Sequence, residues 1–161
     1  MGRWNPSSNQ IYQEIVGALG NSVFSMPAYF NNMLYYGASG SALKAFSIVN
    51  ARLSMTAASA TARTFTSPGT TPGVSAAGSS NAIVWAVENT NPAVLHAYDA
   101  RNLTVELYNS SQAPAGRDAF GAGNKFITPT IVNGHVYVGT TNGVARFGML
   151  APTTPTGLRI I

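Results

Sequence analysis

Three stretches of this chain repeat one pattern, and the repetition limits the folds open to it. The first stretch runs from Phe24 to Gly37 and the last from Phe126 to Gly139. Each has a proline three residues after its phenylalanine and ends in tyrosine, one further residue and glycine. A divergent middle copy spans residues 71–99. The copies therefore recur about every 50 residues, which is typical of architectures built from repeated units.

Each copy has the pattern of short strands joined by tight turns. In the last copy Asn133-Gly134 separates two alternating runs, and this pair favours a two-residue hairpin turn because both positions need positive φ. Asn31-Asn32 stands at the same place in the first copy. Aromatic residues also recur at equivalent places: Tyr35, Trp85 and Tyr137. Repeated meanders of this kind predict an all-β fold.

A repeat of this length with several strands in each unit is typical of a β-propeller blade. We therefore predict a partial propeller of about three four-stranded antiparallel blades within residues 1–150. So few blades cannot close a ring, and we expect the remaining blades of a larger protein to be partners of this chain. The predicted blades cover about residues 20–55, 71–109 and 125–150. We expect an outer strand to precede each meander, at residues 10–19, 52–55 and 103–109. The predicted connections between blades are residues 56–71 and 110–124.

Composition narrows the classes of partner. Only 9 % of the residues are charged, and the nine basic residues are scattered singly, whereas nucleic-acid binding needs clustered positive charge. No apolar run approaches the roughly 20 residues that cross a bilayer. We therefore expect neither nucleic-acid binding nor a membrane span. The Pro/Thr-rich residues 151–161 predict a linker and resemble the entry to a fibronectin type III-like domain.

Two motifs carry a family resemblance. Ala97-Tyr98-Asp99 is followed by a turn and then by Tyr108, and Asn133 begins the sequence Asn-Gly-x-Val-Tyr-x-Gly. Both resemble the repeat of the pyrroloquinoline-quinone (PQQ) type propellers, in which a tryptophan at the place of Tyr108 packs between blades. The resemblance extends over about residues 10–150 and implies the C-terminal part of a large secreted bacterial protein, located outside the cell, at its surface or in the periplasm. It implies structural blade roles for Asp99, which would cap a turn, and for Tyr108, Trp85, Gly37 and Gly139.

The resemblance also raises a cofactor. PQQ dehydrogenases hold a Ca²⁺ ion beside the quinone with Glu and Asn ligands. The five carboxylates of this chain show no Ca²⁺-ligand spacing, so we predict no catalytic residue, no metal site and no cofactor in this segment. PQQ with Ca²⁺ would belong to other blades of the parent protein. We expect Glu106 to be solvated on an outer strand, and His96 and His135 to be surface or turn-flanking residues.

The most polar irregular stretch offers candidate binding residues. Connections between blades lie on the propeller face that usually carries ligand sites, which points to Arg117, Asp118, Asn124 and Lys125; a salt-bridged, solvent-facing loop is the more ordinary interpretation. The function that we predict is a non-catalytic scaffold or interaction module of a secreted or cell-surface protein, with a protein or polysaccharide ligand. Two alternatives stay open: a fragment of a PQQ-dependent alcohol or sugar dehydrogenase with its cofactor site mostly outside this segment, and a glycan-binding surface protein.

Overall fold

The computed structural model describes residues 4–148, which form three antiparallel sheets joined by loops. The all-β prediction is confirmed. The first sheet has the strand order β1-β2-β3, with both β4 and β5 pairing with β3. Its strands are β1 (Ala28–Phe30), β2 (Met33–Gly37), β3 (Ser41–Val49), β4 (Arg52–Leu53) and β5 (Ser59–Phe65).

The second and third sheets repeat the meander of the first. The second has the order β6-β7-β8-β9 and the third, within residues 4–148, the order β10-β11-β12. The second sheet consists of β6 (Gly73–Ala77), β7 (Ser80–Glu88), β8 (Val94–Asp99) and β9 (Glu106–Asn109). The third consists of β10 (Thr130–Val132), β11 (His135–Gly139) and β12 (Val144–Phe147).

The predicted asparagine turns close the first hairpins of the outer two sheets. Asn31 and Asn32 have φ of 43° and 60°, and Asn133 and Gly134 have φ of 50° and 72°. Two consecutive residues with positive φ form the hairpin turn whose twist matches the flanking strands. The turns thus set the register of β1 on β2, with Phe30 opposite Met33, and of β10 on β11.

The second sheet lies between the other two and is covered on both faces. Its central strands β7 and β8 are nearly continuous apolar runs, as expected of strands without a solvated face. One face packs against the first sheet around Tyr35, Leu43, Phe65, Val84 and Leu103. The other packs against the third sheet around Val87, Leu95, Val136 and Val138. β6, the first strand of the middle sheet, contacts both β1 and β10, so the first strands of the three sheets lie side by side.

The prediction of an outer strand over residues 10–19 is wrong. Residues 10–19 have no strand; they are irregular with a turn at Val16-Gly17, where Gly17 adopts φ of 74°. The side-chain amide of Gln13 forms two hydrogen bonds with the backbone of Leu53 in β4. Its oxygen accepts from the N–H of Leu53 at 2.8 Å, and its nitrogen donates to the carbonyl of Leu53 at 2.9 Å. Lys44 of β3 donates a hydrogen bond to the carbonyl of Ala18, so the segment crosses the outer face of the first sheet.

The predicted order of strands is also wrong, because the fourth strand follows its meander rather than preceding it. β5 pairs with β3 of its own sheet, although residues 56–71 were expected to be only a connection. The sequence of β5 is rich in Ser, Ala and Thr and shows no alternation of apolar and polar residues, because Thr61 and Phe65 are its only buried residues. β9 likewise pairs with β8, and residues 52–55 contribute only the short β4.

The third sheet has three strands within the part of the chain that the structure describes, not the four predicted for each blade. The predicted linker over residues 151–161 and the end of the third blade beyond residue 148 lie outside the described residues. Between residues 4 and 148 there is no helix that is long and apolar enough to cross a membrane.

Candidate functional site

A cleft of about 790 Å³ opens between the second and third sheets. Trp85, Ala97 and Tyr108 form its wall on the second sheet, and Ile131 and Phe147 form the opposite wall. The loop from Arg117 to Phe120 closes one side. A concave volume of this size with mainly aromatic and aliphatic lining and a few polar groups is typical of ligand sites.

A hydrogen-bonded network at one side of the cleft joins β9 to the following loop. The hydroxyl of Tyr108 donates to Oδ2 of Asp118 at 2.7 Å. The guanidinium of Arg117 donates to both carboxylate oxygens of Asp118, at 2.7 and 2.9 Å. Tyr108 lines the space between the second and third sheets.

The same network shifts two pKa values. The hydrogen bonds from Arg117 and then Tyr108 lower the pKa of Asp118 to about 2, because both donors favour the carboxylate. Burial, followed by the hydrogen bond to Asp118, raises the pKa of Tyr108. Tyr108 therefore stays neutral and Asp118 charged over the physiological range, which gives this side of the cleft a fixed donor and acceptor pattern.

Trp85 is the largest of the aromatic side chains that line the cleft. Its indole N–H donates to Oγ of Ser75 at 2.8 Å, which holds the ring across the hairpin of β6 and β7. Phe120 and Phe147 meet edge to face, with ring centroids 5.1 Å apart, at the other side of the cleft. The lining can bind an apolar or amphipathic group, while Asp118 and Arg117 offer polar contacts at the rim.

The structure separates the four predicted binding residues into two places. Arg117 and Asp118 line the cleft, as an ion pair. Asn124 is exposed and lies beside Ser25 and Phe126 at a small void of about 10 Å³, where its side chain accepts a hydrogen bond from the backbone of Lys125. Lys125 is also exposed and lines neither space.

A second cluster of ionisable groups lies between the first and second sheets, around His96. The side chain of His96 is 1 % exposed, with Nδ1 at 2.6 Å from Glu106 and Nε2 at 3.3 Å from Glu88. Arg63 of β5 reaches the same Glu88 at 3.4 Å. The expectation of a surface histidine at position 96 is therefore wrong, whereas Glu106 is exposed on the edge strand β9, as expected, and places one carboxylate oxygen against the imidazole.

Two aromatic rings shield the imidazole of His96 from solvent. Phe65 meets the imidazole edge to face at 5.7 Å, and Tyr98 stacks on it at 5.9 Å. The hydroxyl of Tyr98 is buried without a hydrogen-bond partner, and burial is the main cause that raises its pKa. Sequence reasoning missed the cluster, although Glu88 and His96 interrupt two apolar strands on the same face, which is a signal of buried polar pairing.

The remaining motif residues have local structural surroundings. Asp99 ends β8, where its side chain accepts a hydrogen bond from the backbone N–H of Arg101 at 2.8 Å and pairs with the guanidinium of the same residue. That pairing lowers the pKa of Asp99. Gly37 leaves no room for a side chain, because a Cβ there would overlap the backbone carbonyl of Thr70. A Cβ on Gly139 would lie 3.3 Å from Cδ1 of Ile127.

Comparison with known proteins adds no relative: no protein-family model, no curated protein and no solved structure matches this chain. Within residues 4–148 no three His, Asp or Glu side chains are grouped so that they could hold a metal ion.

Proposed function

We propose that the chain is a segment of a β-propeller that acts as a non-catalytic scaffold and interaction module of a secreted or cell-surface protein. The observation that carries the proposal is the stacking of repeated meanders with their first strands side by side. In a propeller, sheets stack around an axis in this way, with the first strand of each sheet innermost.

The outer faces of the stack support the view that more sheets continue it. Tyr29 on the first sheet, and Val132 and Val144 on the third, are exposed although they lie on strands whose other face is in the core. Exposed apolar residues on the end faces of a stack are typical of surfaces that another element covers. The location outside the cytoplasm is supported by the resemblance to secreted bacterial propeller proteins.

Light scattering and thermal unfolding of this chain and of the longer polypeptide encoded around it test the scaffold proposal. We expect the longer polypeptide to be monodisperse and to unfold at a higher temperature, because its additional blades cover the end faces. We expect the chain alone to self-associate. A monodisperse chain that unfolds cooperatively at the same temperature as the longer polypeptide would contradict the proposal.

Titration of the longer polypeptide with PQQ, with and without Ca²⁺, tests its non-catalytic character. We expect tryptophan fluorescence to stay unchanged in the folded protein. Saturable, Ca²⁺-dependent quenching at micromolar PQQ would replace the scaffold by an oxidoreductase whose cofactor lies in other blades.

A further inference from the structure

The turn between β10 and β11 combines a chemically reactive sequence with an exposed position. Two asparagines of the chain, Asn133 and Asn142, are followed by glycine. Asn133 and Gly134 are both exposed and form the two-residue turn of the β10–β11 hairpin. Glycine has no side chain that could shield the backbone nitrogen after the asparagine. The side-chain amide of Asn133 can therefore be attacked by the nitrogen of the next residue.

This attack converts the asparagine without another protein, because both reacting groups lie in adjacent residues of one chain. The backbone nitrogen of Gly134 loses its proton to water or hydroxide and forms a bond to Cγ of Asn133. The bond between Cγ and Nδ2 breaks, and Nδ2 takes a proton from water and leaves as ammonia. The resulting succinimide ring is then opened by water at either of its carbonyls. One product is aspartate, and the other is isoaspartate, in which the backbone runs through the former side chain.

The side chain of His135 is placed to assist the closure of this ring. Nδ1 of His135 donates a hydrogen bond to the backbone carbonyl of Asn133, with 2.8 Å between the two atoms. That carbonyl and the nitrogen of Gly134 belong to the same peptide group. When the nitrogen loses its proton, negative charge spreads onto the carbonyl oxygen, and a hydrogen bond to a charged acceptor is stronger. A donor placed where charge develops lowers the barrier to the reaction.

Two other turns of the chain separate the contributions of the glycine and of the histidine. Asn31-Asn32 closes the equivalent hairpin of the first sheet with similar φ values of 43° and 60°, but a residue with a side chain follows Asn31. Asn142-Gly143 lies between β11 and β12 and has the glycine, but the next residue is Val144, whose side chain has no hydrogen-bond donor. Asn133 alone among these three sites has both the glycine and the histidine.

Isoaspartate at position 133 does not fit the hairpin that contains it. Val132 lies opposite His135, and the pairing depends on a turn of two residues with positive φ between them. The isoaspartate linkage adds a methylene group to the backbone of that turn. Because loop length sets the register of a hairpin, the added group disturbs the pairing of β10 with β11. Val136 of β11 belongs to the core that packs on the second sheet, so the disturbance reaches that interface.

We infer that Asn133 is a modification site at which the folded chain converts its own asparagine to isoaspartate, with His135 assisting the ring closure. The reaction consumes only water, and its product weakens the pairing of β10 with β11. The third sheet is then the part of the described chain that changes as the molecule ages. This inference does not depend on the proposed function.

The first test measures the rates of conversion at the two Asn-Gly sites in the same molecules. The folded chain is incubated in mildly alkaline buffer, denatured and digested with trypsin. Both sites lie in one tryptic peptide, residues 126–146, because Lys125 and Arg146 are the nearest cleavage sites. Mass spectrometry with fragmentation that distinguishes isoaspartate from aspartate gives each rate. We expect Asn133 to react faster than Asn142 in the folded chain and at a similar rate in guanidinium chloride. Faster reaction at Asn142 in the folded chain would overturn the inference.

Substitution of His135 tests the role of its hydrogen bond. His135→Phe keeps a ring and removes the N–H, and circular dichroism verifies that the variant is folded. We expect the rate at Asn133 to fall about fivefold, which is the effect of one ordinary hydrogen bond, and the rate at Asn142 to stay unchanged. His135→Ala should give the same result. An unchanged rate at Asn133, or an equal decrease at both sites, would exclude assistance by His135.

Hydrogen exchange of aged molecules tests the consequence for the third sheet. We expect the amides of β10 and β11 to exchange faster in chains with isoaspartate at position 133 than in unmodified chains. Asn133→Asp is the control, because it adds the charge without the methylene group and Asp-Gly also favours this turn. That variant should keep the exchange rates of the unmodified chain. Unchanged exchange in the isoaspartate form would show that the hairpin tolerates the longer backbone and would overturn this part of the inference.

Discussion

The middle sheet packs against a neighbour on each face, and the two interfaces differ in how completely they are packed, although the same middle-sheet strands form one side of both. Toward the first sheet, nine buried residues form a continuous core within the described part of the chain. Toward the third sheet the corresponding cluster has four, and a cleft of about 790 Å³ lies beside it. The first interface includes the fourth strand β5 and the second has no counterpart of it among residues 4–148. Among the described residues, the interface that includes a fourth strand from its outer sheet is therefore the more completely packed of the two.

The two interfaces also differ in how deeply their ionisable side chains are buried. The closed interface buries His96 between Glu88 and Glu106, where each carboxylate contacts a ring nitrogen. The open interface leaves the Arg117–Asp118 pair at the rim, with the Arg117 side chain 55 % exposed. Ion pairs at a solvated rim contribute little to stability, whereas loss of one partner in a buried pair is costly.

The largest expected effect compares one phenylalanine from each interface. Phe65→Ala should lower the free energy of unfolding by about 4 kcal/mol, because it removes a fully buried ring and leaves a cavity. Phe147→Ala at the open interface should cost only about 1–2 kcal/mol, since its ring is half-buried beside the cleft. Urea unfolding of both variants measures the difference, and equal losses would show that the second interface is closed in solution.

The next comparison uses the two histidines. His96→Ala should cost about 3 kcal/mol, because it removes a fully buried ring and leaves Glu88 with its contact to Arg63 but without the imidazole. His135→Ala should cost less than about 1 kcal/mol, since that ring contacts only the carbonyl of Asn133 among hydrogen-bond partners in the described residues. The same urea experiment measures both. A small loss for His96→Ala would mean that water reaches the cluster.

The two motif glycines give a smaller contrast. Gly37→Ala should cost about 2 kcal/mol, because its Cβ would collide with the backbone at Thr70, which cannot move without disturbing the connection between sheets. Gly139→Ala should cost less than about 1 kcal/mol, since the end of the Ile127 side chain can shift. A reversed order in thermal unfolding would place the tight backbone approach at the third sheet.

The smallest effect is a pH dependence at the open interface. The pKa of Asp118 is lowered from its ordinary value near 4 to about 2, so its contribution to stability is present above pH 4 and is lost as the pH falls toward 2. Asp118→Asn should therefore reduce the decrease in Tm between pH 4 and pH 2. Thermal unfolding at a series of pH values measures it, and an unchanged decrease in the variant would show that Arg117 and Tyr108 do not hold the carboxylate in solution.

The repeated turns and meanders could be predicted from the sequence, because their signals are local. Asn31-Asn32 and Asn133-Gly134 each encode a hairpin through the φ values that these residues tolerate. β5 could not be predicted in the same way, because its serine, alanine and threonine residues have the composition of a connection. Its place is determined by tertiary packing of Phe65, which sequence spacing does not show.

The candidate site was predictable only in part, for a related reason. Arg117 and Asp118 are adjacent in sequence, and their pairing at a loop is a local event. Glu88, His96 and Glu106 are brought together by the pairing of three strands of one sheet, and the burial of Glu88 and His96 depends on the first sheet. Polar residues on a strand that is covered on both faces are the signal that such a cluster leaves in a sequence.

The position of the second sheet between two others has a consequence for the motions of the chain. β7 and β8 are central strands of a sheet that is covered on both faces by other sheets, whereas β12 has an open edge within the described residues. Amide hydrogens in regions of few contacts exchange through local opening, and those in doubly covered strands exchange only when the whole domain opens. The amides in the middle of this chain should therefore exchange their hydrogens most slowly, with exchange becoming faster toward both ends of the stack.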